Sequence, residues 1–218
     1  MSGTVTIAVI GGTGSLGAAI AGRLARAGHR VVVGSRDAER AQEGAAAIGP
    51  DVIGMSNADA ARAGDLLIVA VPFAAQQSTL AEIAPGAVGK IVVDTTVPLV
   101  PPKVMRVQLP AEGSAAVRAQ VLLGEGVRVV SALHNVAADR LASGEDVACD
   151  VLVFGDDRDA RAQVVTLIEA MGMRGLHAGS LANSAAAEAM TSVLIFLNKT
   201  YKVHGAGIRV TGNLTIPE

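Results

Sequence analysis

Short runs of Val, Ile and Leu recur along the chain at 5–10, 30–34, 51–54, 66–71, 91–94, 127–132 and 151–155. Between them the apolar positions, mostly Ala and Leu, fall at helical spacing, which predicts helices at about 15–28, 37–48, 57–63, 74–84, 114–124 and 135–142. The strand runs are continuous in apolar residues rather than alternating, as strands buried on both faces are. They therefore assemble into a parallel sheet covered by helices on each side.

After "FGDD", where Asp156 or Asp157 is placed to cap a helix start, the pattern gives a helix near 158–171 and a strand near 174–177. A helix over 181–200 follows that is apolar nearly all round. It implies burial on more than one face and hence a partner subunit, a homodimer. The Gly-punctuated segment "HGAGIRVTGNLTIPE" comes next. The Pro-rich stretch "VPLVPPKVMRVQLP", Val97 to Pro110, breaks the alternation and is expected to form an ordered surface loop over the sheet edge. The fold class is α/β: a Rossmann-like doubly wound parallel sheet over 1–150 with a small C-terminal α/β extension over 151–218.

Gly12, Gly14 and Gly17 in "GGTGSLG" have G-x-G-x-x-G spacing between the first strand and the first helix. The first glycine permits a tight turn, the second lets the backbone approach a pyrophosphate, and the third lets helix and strand pack closely. Free N–H groups at the helix start, near Ser15 and Leu16, then face the phosphates.

About 20 residues on, the second strand should present Asp or Glu to the ribose of NAD. Here it ends in Gly34, Ser35 and Arg36. Gly34 is expected to leave room for the 2′-phosphate of NADP, Ser35 to donate a hydrogen bond to it and Arg36 to clamp it, with Thr13 as a further donor. The alternative is a solvated Arg36, with Asp37 turned inward to a ribose hydroxyl.

Composition removes several function classes. With 218 residues, 50% hydrophobic and 17% charged, the chain can bury one substantial core. Aromatics at 2%, no Trp and a net charge of −2 leave neither the stacking platform nor the basic footprint of a nucleic-acid binder. A single cysteine, Cys149, allows no internal disulfide, so a cytoplasmic location is expected. "MSGT" runs straight into "VTIAVI" without a basic n-region, so no signal peptide is expected. No apolar run reaches the roughly 18 residues of a membrane helix. No H-x-x-x-H or cysteine cluster suggests a metal, and no G-x-S-x-G turn suggests a nucleophile.

The segments "IAVIGGTGSLG", "VVVGSRD", "VPF", "VDTTVPLVPP", "SALHNV", "VFGDD" and "NKTYKVHGAGIRVTG" occur in that order. Together the chain resembles NADPH-dependent reductases of coenzyme F420, a 5-deazaflavin. The resemblance implies that Thr13, Ser35 and Arg36 hold the 2′-phosphate and that Val71, Pro72 and Phe73 line the cofactor cleft. It also implies that His134, Asn135, Val136 and Ala138 adjoin nicotinamide and deazaflavin, with His134 as a positioning residue.

Hydride transfer between the two rings needs donor and acceptor carbons about 3 to 3.5 Å apart, and the cofactors carry the reactivity themselves. The extension over 151–218 would complete the deazaflavin pocket and the dimer contact. Lys199, Lys202 and Arg209 are candidate partners for the coenzyme's acidic tail. Two alternatives stay open: an NADP-dependent imine or 2-hydroxyacid-type reductase, for which Lys103 or Lys199 would supply the acid, and a non-catalytic NADP sensor or scaffold.

Overall fold

The computed structural model describes residues 5–215; "MSGT" and the last three residues of the C-terminal segment lie outside the described residues. The first half alternates β1 (Thr6–Ile10), α1 (Ser15–Arg26), β2 (Arg30–Ser35), α2 (Ala38–Ile48), β3 (Ile53–Ser56), α3 (Asn57–Ala63), β4 (Leu66–Val69) and α4 (Phe73–Ala87). It continues through β5 (Ile91–Asp94), α5 (Ala115–Leu123), β6 (Arg128–Ser131), α6 (Ala138–Ala142), β7 (Asp150–Gly155), α7 (Arg158–Ala170), β8 (Arg174–His177) and α8 (Ser184–Tyr201).

The eight strands form one sheet in the order β3-β2-β1-β4-β5-β6-β7-β8. The strands from β3 to β6 are parallel, and the chain reverses direction across the sheet between β1 and β4, the switch point at which such sheets bind ligands. β1, β4 and β5 are buried at every position, in keeping with their unbroken apolar runs. Their side chains divide between two cores. One packs against Ile20, Leu24, Val164 and Ile168 of α1 and α7, the other against Ala60, Leu80, Ile83 and Ala119 of α3, α4 and α5.

Three expectations are corrected. β7 is antiparallel to β6 and pairs with it only through Val130–Gly155 and Ser131–Phe154, so the rest of β7, with β8 parallel beside it, runs past the C-terminal end of β6. The Pro-rich loop leaves from the end of β5, which has a neighbour on each side, so it springs from an interior strand and not an edge strand. α6 begins at Ala138 rather than 135, because Leu133 is left-handed at φ 67° and the Asn135 amide donates to the Asp150 carbonyl, which holds that segment in a turn. Within the chain α8 buries Ser184, Ala187, Glu188, Ser192 and Leu194, and a second, apolar set, Met190, Val193 and Phe196, is exposed. Among the described residues no helix is long and apolar enough to cross a membrane.

Arg23 of α1 is 8% exposed and donates to four carbonyls: Arg140 and Leu141 in α6, Glu145, and Met171 at the end of α7. It thereby ties α1 to α6, to Glu145 and to the end of α7. Arg23→Leu should lower the unfolding free energy by about 2 kcal/mol, read as a shift of the urea midpoint at unchanged slope. An unchanged midpoint would show that water replaces the guanidinium without loss.

Candidate active site

The C-terminal ends of β2, β1 and β4 open into one cleft of about 450 Å³, within the range of small-molecule sites. Gly11, Thr13 and Gly14 lie at its centre, Ser35, Arg36, Asp37 and Arg40 at the β2 end, and Val71 and Pro72 at the β4 end.

Each glycine of the turn has its own reason. Gly11, just before the motif, takes φ +74° and makes the tight turn. A Cβ on Gly12 would meet Val33 and the Val9 carbonyl at 2.8 Å, and one on Gly17 would sit 2.6 Å from the Gly11 carbonyl oxygen. Those two are packing positions. A Cβ on Gly14 would meet only the Gly11 oxygen, at 3.4 Å, so Gly14 alone is bare toward the cleft. α1 starts here with no side-chain cap and no acidic residue in its first turn, leaving the N–H groups near Ser15 and Leu16 for an anion.

At the β2 end Ser35 is buried and its hydroxyl oxygen accepts from the Asp37 N–H at 3.3 Å, so its proton remains to be donated. Asp37 spends Oδ1 on the Glu39 and Arg40 N–H groups as the cap of α2. Arg36 and Arg40 make no ion pair among the described residues. Arg40 was not legible as a site residue until the first turn of α2 placed it on the cleft wall with Arg36. Gly34 serves a different end from the one expected: its missing side chain faces Asn57 and Ala60 of α3 at 3.0 and 3.1 Å, so it lets α3 approach the sheet rather than making room for a phosphate.

Phe73 is the first residue of α4 and is half-buried, with the Arg118 guanidinium 4.3 Å over its ring. His134, Asn135 and Val136 are buried and do not line the cleft. The Ser131 hydroxyl and His134 Nε2 share a hydrogen bond of 2.8 Å, Nδ1 has no partner among the described residues, and burial pulls the imidazole down to about 4. His134 is therefore neutral at pH 7. Ala138 opens α6, half-buried. Lys199, Lys202 and Arg209 are exposed and lie outside the cleft.

Sequence reasoning missed a buried polar group behind the β4 end. Asp94 and Gln76 are fully buried, and Glu188 is 1% exposed. Burial raises Asp94 above the ordinary carboxylate range and pushes Glu188 up to about 7. Among the described residues no group of three or more His, Cys, Asp or Glu could hold a metal.

Compared with known proteins, the chain matches the family described as NADP oxidoreductase, coenzyme F420-dependent, over residues 6–98. It is 42% identical to the F420-dependent NADP reductase of Methanothermobacter thermautotrophicus over 94% of each chain. With the enzyme of that name from Methanocaldococcus jannaschii the identity is 39%, over 96% of this chain and 99% of that one. A solved structure from Arthrobacter sp. FB24, assigned as an F420-dependent NADP reductase, superposes with a TM-score of 0.85 at 26% identity, covering 95% of this chain and all of that one.

Proposed function

The chain belongs to the family of coenzyme F420-dependent NADP oxidoreductases, and on that premise we propose how its cleft performs the family's reaction. The protein is an oxidoreductase that moves a hydride between NADP(H) and F420; the imine-reductase and sensor readings are not favoured.

In this reading Thr13, Ser35, Arg36 and Arg40 hold the 2′-phosphate. Gly12, Gly14, Ser15, Leu16 and Gly17 bring the pyrophosphate onto the N-terminus of α1, where backbone N–H groups and the helix dipole favour its charge. The dinucleotide then crosses the ends of β1 and β4 and rests its nicotinamide at Val71, Pro72 and Phe73. The strand-end turn from His134 to Ala138 lies beyond it. Because the His134 imidazole is buried, neutral at pH 7 and outside the cleft lining, that turn contributes shape and backbone groups rather than an acid. A hydride swap requires none.

Residues 151–218 complete the deazaflavin side, since β7 and β8 run past the end of β6. The exposed stripe Met190, Val193 and Phe196 on α8 is covered by a second copy, making a homodimer. The lone buried Cys149 suits a cytoplasmic location.

The observation that carries the cofactor assignment is the pair of guanidinium groups, Arg36 and Arg40, that line the cleft beside the Ser35 hydroxyl at the tip of β2 and have no ion-pair partner among the described residues. A spectroscopic assay with NADPH or NADH and oxidised F420 tests it. NADPH should be preferred by at least about tenfold, or roughly 1.4 kcal/mol. Arg36→Ala should erode the preference while NADH kinetics stay nearly unchanged. Equal activity with both nicotinamides in the unmodified protein would sink the assignment.

A further inference from the structure

Gln76, Asp94 and Arg118 lie on three elements, α4, β5 and α5, outside the cleft described above. The Gln76 amide is fully committed: Nε2 donates to Asp94 and to the Ala115 carbonyl, and Oε1 accepts from Arg118 Nε at 3.0 Å. Asp94 accepts a second bond from the Thr96 N–H. On its far side Ala115, with Ala116, donates its N–H to the Glu188 carboxyl of α8 at 2.7 and 3.1 Å. This chain of bonds ends on Arg118, which covers the Phe73 ring at 4.3 Å and reaches the Phe73 carbonyl with Nη2 at 3.5 Å.

Part of the arrangement serves stability, since Glu188 and Asp94 accept from the buried Ala115, Ala116 and Thr96 N–H groups and Gln76 donates to the Ala115 carbonyl. The bond from Arg118 Nε to Gln76 Oε1 satisfies no backbone group, and the half-buried guanidinium that makes it could reach water instead. What the arrangement does achieve is a single orientation of the β4–α4 corner: a ring pinned by a cation, and a cation pinned by an amide with no freedom left. Phe73 does not itself line the cleft; it directly follows Val71 and Pro72, which do, at the end opposite Arg36 and Arg40. A dinucleotide anchored at the arginines puts its reacting ring there.

We infer that Gln76 and Arg118, backed by Asp94 and Glu188, are positioning residues for hydride transfer, fixing Phe73 and its backbone where the nicotinamide must rest. This rests on the NADP(H) reading of the cleft. It adds a requirement that the second half of the chain, through α8 and α5, sets the geometry of a wall built by the first.

The test compares the unmodified enzyme with Arg118→Met, Arg118→Lys and Phe73→Leu, each first shown to be folded by its thermal transition. Arg118→Met should bind NADPH within about twofold of the unmodified protein, yet reduce F420 at least about tenfold more slowly, since small misplacements of reacting groups cost rates of that order. The isotope effect with NADPH deuterated at the transferred position should rise, because hydride transfer becomes the slow step. Arg118→Lys, which keeps the charge over the ring, should recover part of the rate. Phe73→Leu, which leaves the buried bonds intact, should show the same slowing and the same raised isotope effect. Unaltered turnover and isotope effect in folded Arg118→Met or folded Phe73→Leu would overturn the inference. Failure of the unmodified protein to bind NADPH would instead overturn the cofactor reading.

Discussion

Valine in place of Gly14 is expected to weaken NADPH binding by at least about a thousandfold, some 4 kcal/mol, in a protein that still folds. Gly14 has φ −78° and ψ 161°, a conformation open to any residue, and a Cβ there meets nothing closer than the Gly11 oxygen at 3.4 Å. The fold therefore tolerates the side chain. The ligand does not, because a phosphate must come within about 2.7 to 2.9 Å of the N–H groups it accepts from, and the valine methyls would stand between.

Gly17→Ala makes the contrast. Its Cβ would lie 2.6 Å from the Gly11 oxygen and 2.7 Å from Gly12 Cα, so stability and binding should fall together. Calorimetry with NADPH and a thermal melt on each variant separate the two effects. Undiminished affinity in folded Gly14→Val would mean that the pyrophosphate does not lie on this turn.

The difference between those glycines marks where sequence reasoning stopped. Spacing alone places 12, 14 and 17 on one turn, and continuous apolar runs place β1, β4 and β5 in the middle of a parallel sheet, because both signals are local. Gly34 looks from the sequence like a vacancy for a phosphate, yet its missing side chain faces α3. Which side of a strand a residue presents depends on register, not on its place in a motif.

Arg40 looks like a surface charge until the first turn of α2 sets it on the cleft wall with Arg36. Gln76, Arg118 and Glu188 carry no local signature at all. They become one group only when α4, α5 and α8 meet over the end of β5, where a buried amide must find every partner it needs. Asp94 was the one member with a signal, a carboxylate ending a wholly apolar strand run, and an acid so placed is either paired or protonated.

Buried His134 and Glu188 are expected to give stability two opposite pH dependences that largely cancel. His134 titrates near 4 in the folded protein against about 6.5 unfolded. Between those values the unfolded chain binds the extra proton, so this residue makes stability rise from pH 4 to 6.5. Glu188 titrates near 7 folded against about 4.5 unfolded, chiefly through burial, with the charge of Asp94 adding to it and the Ala115 and Ala116 N–H groups opposing. Here the folded chain binds the extra proton, so stability falls from pH 4.5 to 7.

Each shift spans about 2.5 units, or on the order of 3 kcal/mol. Over pH 4.5 to 6.5 the two slopes offset one another, and Asp94, raised by its own burial, adds to the falling side. Substitution should unmask each. In His134→Asn the unfolding free energy should drop by about 3 kcal/mol between pH 4.5 and 7, and in Glu188→Gln it should climb by about as much between pH 4 and 6.5. The reading is the difference between variant and unmodified protein at each pH, from urea titrations, so that a uniform loss from the substitution itself cancels. A difference independent of pH in His134→Asn would mean that the imidazole is solvated and free to take a proton at neutral pH.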